Sequence, residues 1–157
     1  MNKILVLFIL ILTLSQSDLV AKNYNQALGL RGMFDGGLTY KQFLDNTKAF
    51  EIVLHGGRKW FGVTGFYEWH NKTKHTQLEW YYGIGAHAVF IEDNKNTPWG
   101  RDSDDDIVLG LDGILGLEYA LKEIPIVFSL DWNPTVNLIG DTGFWATRGS
   151  FSIRFYW

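Results

Sequence analysis

The chain has 157 residues, a formal net charge of −3, no cysteine, and seven Trp, seven Tyr and eleven Phe beside 17 Gly and only three Pro. That length suits one domain, the charge balance speaks against a nucleic-acid surface, and the fold rests on no disulfide. A mean hydropathy of −0.05 excludes a bundle of membrane helices but suits a chain that is apolar at every second residue.

At the N-terminus, Met1-Asn2-Lys3 and the apolar run Ile4 to Leu14, followed by Ser15-Gln16-Ser17-Asp18, outline a secretory signal peptide. The run is too short to span a bilayer, which takes about 20 residues. Cleavage near Ala21 leaves residues 22–157 as the mature domain.

Beyond residue 25, apolar residues recur with a period of two. Eight strands follow, at 25–34, 36–45, 48–57, 59–70, 77–91, 107–121, 125–133 and 149–157. The connections "DGG" (Asp35 to Gly37) and "DNTK" (Asp45 to Lys48) carry tight-turn residues. "HNKTKHTQ" (His70 to Gln77) and "KEIP" (Lys122 to Pro125) are of modest length, whereas Glu92 to Asp106 and Pro134 to Gly149 read as long loops on one side. An all-β fold is expected, an eight-stranded antiparallel up-and-down transmembrane β-barrel with short periplasmic turns and longer outer loops.

Side-chain parity sharpens this expectation. Strand five puts Leu78, Trp80, Tyr82, Ile84 and Phe90 on one face and Glu79, Tyr81, Gly83, Gly85 and His87 on the other. Strand six separates Leu109, Leu111, Leu115, Leu117 and Tyr119 from Gly110, Asp112, Gly116 and Glu118. A soluble barrel also alternates, but here the polar parity is rich in small residues, as a narrow lumen requires, and the apolar parity is bulky. Outward aromatics fall near both ends of the strands: Trp69, Trp80, Tyr119 and Trp157 towards the periplasmic edge, and Phe34, Phe61, Phe90 and Trp132 towards the outer edge. Such rings suit the headgroup level of a membrane.

The signal peptide, the eight alternating strands and the terminal "FSIRFYW" resemble small bacterial outer-membrane barrels of the OmpA/OmpX type. The resemblance implies a Gram-negative outer membrane, contact with its lipid and lipopolysaccharide, and a C-terminal strand read by the outer-membrane assembly machinery. Trp157 stands where the family more often ends in Phe. A peptidoglycan-binding domain of the kind that larger relatives carry after the barrel is not expected.

Eight strands enclose an interior that side chains fill. The inward parity places Lys41, Glu51, Glu68, Glu79, Glu118 and Arg154 in a lower layer and Arg31, Asp112 and Asp131, with His55 and His87, in a higher one. Four Glu facing one Lys and one Arg leave excess negative charge, to be met by protonation, a cation or water. No cofactor is expected and no metal ligand set is assigned. "DSDDD" has Asp102, Asp104 and Asp106 at EF-hand-like spacing, but Ile107 and Gly113 stand where that loop needs Gly and Glu, so it reads as a solvated acidic loop.

No catalytic residue is assigned: His70 and His75 lie beside a turn, and no His-x-Ser, the triplet of the lipid A deacylases, occurs on a strand. "NKT" (Asn71 to Thr73) is turn chemistry, and "GLDGILG" lacks the helix a nucleotide loop needs. The functional expectation is a non-enzymatic structural or surface-interaction role, in envelope integrity, adhesion or evasion, with Trp99-Gly100-Arg101 and Gly143-Phe144-Trp145 as loop contact groups for a surface ligand. The competing readings are a soluble lipocalin-like carrier with the same strands turned inside out and, further off, a lipid A hydrolase.

Overall fold

The computed structural model describes residues 24–33, 36–91, 107–140 and 142–157, which form strands and turns without a helix. The signal segment 1–21, Phe34 and the Glu92 to Asp106 loop with its Trp99-Gly100-Arg101 and acidic run lie outside the described residues. Ten strands form: β1 Gln26–Met33, β2 Gly37–Phe43, β3 Lys48–Gly56, β4 Trp60–Lys72, β5 Leu78–Ile91, β6 Ile107–Ala120, β7 Ile126–Trp132, β8 Thr135–Ile139, β9 Gly143–Trp145 and β10 Gly149–Tyr156. Each of β1 to β7 pairs antiparallel with its sequence neighbour, and β10 joins β7 to β1. The ring is therefore a closed, eight-stranded, up-and-down barrel, and closure leaves none of its eight staves with an unpaired edge.

The segment from Pro134 to Gly149, expected as a loop, instead holds β8 and β9. Register shows why. Leu115 faces Trp132 on β7 and Asp112 faces Thr135 on β8, so β7 and β8 run along β6 in one register. Pro134 lacks an N–H and interrupts the ladder, but its carbonyl still accepts from Gly113 N at 2.8 Å. β9 pairs back on β8, Asn133 N donates to Arg148 O at 2.8 Å, and the hairpin turns near Gly140, whose φ of +88° suits glycine. The β7–β10 hairpin thus continues upward past the top of β10 as a flap on β6.

The turns at the other end are short. Asp45 Oδ1 accepts from Thr47 N at 2.7 Å and from Lys48 N at 2.8 Å. These backbone bonds hold its carboxyl below the ordinary value. β4 runs on through Lys72, so His70 belongs to the strand, and the next turn is closed by Thr73 Oγ1 donating to Leu78 O at 2.8 Å. At the C-terminus Trp157 N donates to Gln26 O at 3.0 Å, tying the last residue to the start of β1.

Parity sorts the side chains as the alternation requires. Leu30, Ile84, Leu111, Leu117, Leu130 and Phe155 are exposed on the outside, while the charged residues between them are buried inside. The interior is layered. An apolar cap of Tyr24, Ala27, Phe43, Ala49, Ala120 and Val127 closes the lower end, where the short turns lie. Val53, Phe66, Tyr81 and Ile114 form a middle cluster, and Val89, Ile91 and Val108 one near the top. Charged groups fill the space between them.

Gly116 shows how tightly that space is filled. A Cβ there would lie 2.6 Å from Tyr81 Cζ and 2.7 Å from Asp131 Cβ. Gly116→Ala should therefore cost about 1–3 kcal/mol, read as a lower midpoint in denaturant unfolding, and Gly116→Val more. An unchanged midpoint would show that the interior has slack that the geometry denies.

Candidate functional site in the barrel interior

Because inward residues of all eight staves meet on one axis, side chains far apart in sequence touch. Lys41, Glu51, Glu68 and Arg154 are fully buried. Lys41 Nζ lies 2.8 Å from Glu68 Oε2, 3.1 Å from Glu118 Oε2 and 3.3 Å from Glu51 Oε2, and it sits 4.2 Å from the centre of the Tyr81 ring. The ring face adds a cation–π contact where no water can reach.

Arg154 donates to Glu51 Oε1 at 2.5 Å, to Ser129 Oγ at 2.7 Å and to Thr39 Oγ1 at 3.1 Å. Thr39 Oγ1 in turn donates a hydrogen bond to Glu51 Oε1 at 2.5 Å. Arg31 forks onto Asp131, donates to Asn133 Oδ1 at 2.7 Å and reaches Glu51 at 3.4 Å. The fork matches carboxylate geometry, and Tyr81 Oη donates to the same Asp131 at 2.9 Å.

Two further groups flank this centre. Above it, His87 Nδ1 lies 2.8 Å from Asp112 Oδ2, Thr135 Oγ1 donates to Asp112 Oδ1 at 2.8 Å, and His55 Nε2 lies 2.9 Å from Thr64 Oγ1. Below it, His70 Nε2 is 2.9 Å from Glu68 Oε2 and His70 Nδ1 is 3.3 Å from Glu79 Oε2, while Tyr24 Oη donates to Glu118 Oε1 at 2.5 Å.

The structure thus gathers Arg31, Lys41, Glu51, Glu68, Glu79, Asp112, Glu118, Asp131 and Arg154 inside one barrel. Sequence reasoning set His70 beside a turn and left it out. Its side chain points into the lower layer and stacks on Tyr81, with ring centres 4.8 Å apart. The signal was present: Trp69 is outward, so the residue after it faces in. Tyr24 and Thr135 were also missed, because they lie just outside the recognised strands, and so was Asn133, the last residue of one. Lys41 and Arg154 are shared among Glu51, Glu68 and Glu118, Arg31 joins Asp131 to Glu51, and Lys72 stands across the ladder from Glu79.

The outward aromatics Phe61, Trp80, Phe90, Tyr119, Trp132 and Trp157 are exposed, and Trp69 is half-buried on the same parity. Trp80 and Trp132, assigned by sequence to opposite edges, line one groove with Leu115, Leu117 and Leu130. Counting from strand ends ignores the stagger of tilted staves, so their placement at opposite edges is corrected.

In the upper half, a cavity of about 20 Å³ lies between Arg31, His55, Asp112, Asn133 and Arg148. That is room for about one water. With Lys41, Tyr81 and Arg154 fully buried across the middle, the arrangement offers a plugged, charge-paired interior in place of an aqueous path. No family model, curated protein or solved structure matches the chain.

The pairing has a measurable consequence. Arg31→Met strands the buried Asp131 carboxylate and should cost about 3–5 kcal/mol in denaturant unfolding. The double variant Arg31→Met, Asp131→Leu removes both charges and should recover most of that loss. If the double variant is as unstable as the two single changes summed, the pair is not the coupled unit drawn here.

Proposed function

We propose that the protein is an integral β-barrel of a Gram-negative outer membrane, non-enzymatic, with a structural or surface-interaction role. The observation that carries this reading is the inversion of the barrel: the outside is a continuous apolar surface, with Leu30, Ile84 and Phe144 each about two-thirds exposed, and the inside is packed with paired charge. A water-soluble monomer rarely exposes more than a few hundred Å² of contiguous apolar surface. Lipid is the solvent that such a surface suits, and a closed barrel satisfies its backbone internally, as lipid requires.

The carrier reading needs the opposite arrangement, an apolar interior with room for a ligand. The polar interior here leaves about a water's volume in its upper cavity, which speaks against it. For the hydrolase reading, the buried histidines His55, His70 and His87 face Thr64, two Glu and Asp112 inside the barrel. They are set to hold the plug together and not to reach a lipid.

For the surface role, the flap of β8 and β9 carries Val136, Leu138, Ile139 and Phe144 exposed, with Trp145 half-buried beside Arg148. These groups and the Glu92 to Asp106 segment would meet lipopolysaccharide or a surface ligand. Phe151, Ile153, Phe155 and Trp157, all exposed on one face of the last strand, would form the segment that the assembly machinery reads.

Fractionation of the expressing cell tests this reading. The chain is expected in the outer membrane, resistant to alkaline extraction, and migrating differently on a gel before and after heating because the barrel survives cold detergent. Recovery in the soluble periplasm would overturn the proposal in favour of the carrier. Release of fatty acid from lipid A by the purified barrel would overturn its non-enzymatic part.

A further inference from the structure

The lower layer contains a grouping that the paired-plug description leaves unexplained. Glu79 on β5 and Glu118 on β6 are directly opposed in the ladder, and both are buried. Like charges directly across a sheet repel, and burial removes the water that would screen them. Lys41 reaches Glu118 at 3.1 Å, but it also serves Glu68 and Glu51. Arg31 and Arg154 reach Glu51, Arg154 also lies 3.8 Å from Glu118, and Lys72 stands across the ladder from Glu79.

His70 lies among these glutamates in an unusual way. Both of its ring nitrogens face carboxylates, Nε2 towards Glu68 and Nδ1 towards Glu79. A neutral imidazole has one N–H to give, so one of the two contacts is then acceptor against acceptor. Glu68 Oε1 is buried with no hydrogen-bond partner. One ligand atom from each of His70, Glu79 and Glu118 lies within 4.8 Å of the others, so a single ion could bridge them after small side-chain movements.

We propose that this is a binding site for one divalent transition-metal ion, with Zn²⁺ the best fit. His70 Nδ1 and one oxygen each from Glu79 and Glu118 are its ligands. One imidazole nitrogen and two carboxylates suit a borderline ion better than Ca²⁺ or Mg²⁺, which prefer all-oxygen shells. His70 Nε2–H then donates to Glu68, the carboxylate–histidine–metal relay that fixes the ring and raises its basicity. Tyr24 Oη and Lys41 Nζ donate to Glu118 Oε1 and Oε2 respectively and fix its orientation. Two positive charges placed between the opposed glutamates turn their repulsion into a cross-strand clamp. Since the apolar cap of Tyr24 and Phe43 lies under the layer, with Phe43 edge-on to His70 at 4.7 Å, the ion is structural and enters as the barrel folds. The inference does not depend on where in the cell the barrel resides.

The test uses the full chain without any histidine tag, refolded into detergent with or without ZnCl₂ and freed of loose metal by gel filtration. One zinc per chain is expected to stay bound after refolding with the ion, with a higher unfolding midpoint than the metal-free preparation. Cobalt substituted for zinc should give the visible absorption bands of a nitrogen- and oxygen-ligated site. His70→Gln and Glu79→Gln should lose the bound ion, and Glu68→Gln should weaken binding by about 10–100-fold. His75→Ala, in the exposed turn, should retain it fully. Should a variant fail to fold, the wild-type comparison still decides. Wild-type barrel that refolds but retains no zinc, cobalt or manganese would overturn the site. Retention that survives His70→Gln would overturn it too.

Discussion

Glu51 is the group on which the interior depends. Its Oε1 accepts from Arg154, Thr39 and Arg31, and its Oε2, which has no hydrogen-bond partner, lies 3.3 Å from Lys41. A carboxylate so far from water is tolerable only when its charge is met by such partners, and they come from β10, β2 and β1. A single buried charge on β3 therefore fixes the relative height of several staves at once. Hydrogen bonds along the ladder favour pairing in general, but a slip of two residues keeps every side chain on its proper face. Such a slip would move Glu51 away from its partners. The plug thus selects the register that backbone pairing and greasy parity alone leave degenerate.

The apolar clusters above and below make this selection stronger. Tyr24, Phe43 and their neighbours close the lower end, and Val89, Ile91 and Val108 lie near the upper one. Excluding water from the charged layers lowers the local dielectric, which strengthens each correct pair and penalises each missing one. The same enclosure explains why the exposed surface can be so uniformly apolar. With the charges held inside, none is needed among the outward residues of the staves to keep the fold specific.

Much of this was legible as period-two alternation. The staves of β1 to β7 and β10, their facing and the nine-residue charge set follow from which parity carries Leu and which carries Glu, Arg and Gly. What escaped the sequence has physical causes. Pro134 looks like a loop residue because it cannot donate to the ladder, yet its carbonyl can still accept, and β8 resumes the register of β7 immediately after it. The apolar caps were invisible because Ala27, Ala49, Val89 and Val108 have the same chemistry whether they face in or out. Trp80 and Trp132 share a groove because tilted strands are staggered, and distance along a strand is not height in the barrel. His70 was set beside a turn because "HNKTKHTQ" is polar throughout, although the strand persists to Lys72.

That last case shows how the interior and the turns are linked. A strand that ended at Trp69 would leave Glu79 and Glu118 opposed, with no imidazole between Glu79 and Glu68. By running three residues further, β4 brings His70 across from Tyr81, and the ring stacks there between the aromatic cap and the charged layer. The turn that follows is then held by Thr73, whose hydroxyl donates to Leu78 O and accepts from His75 N at 3.1 Å. The polar run that hides the end of β4 therefore does two jobs in sequence: its first residue completes the lower charged layer, and Thr73 closes the hairpin that carries Glu79 up to meet it.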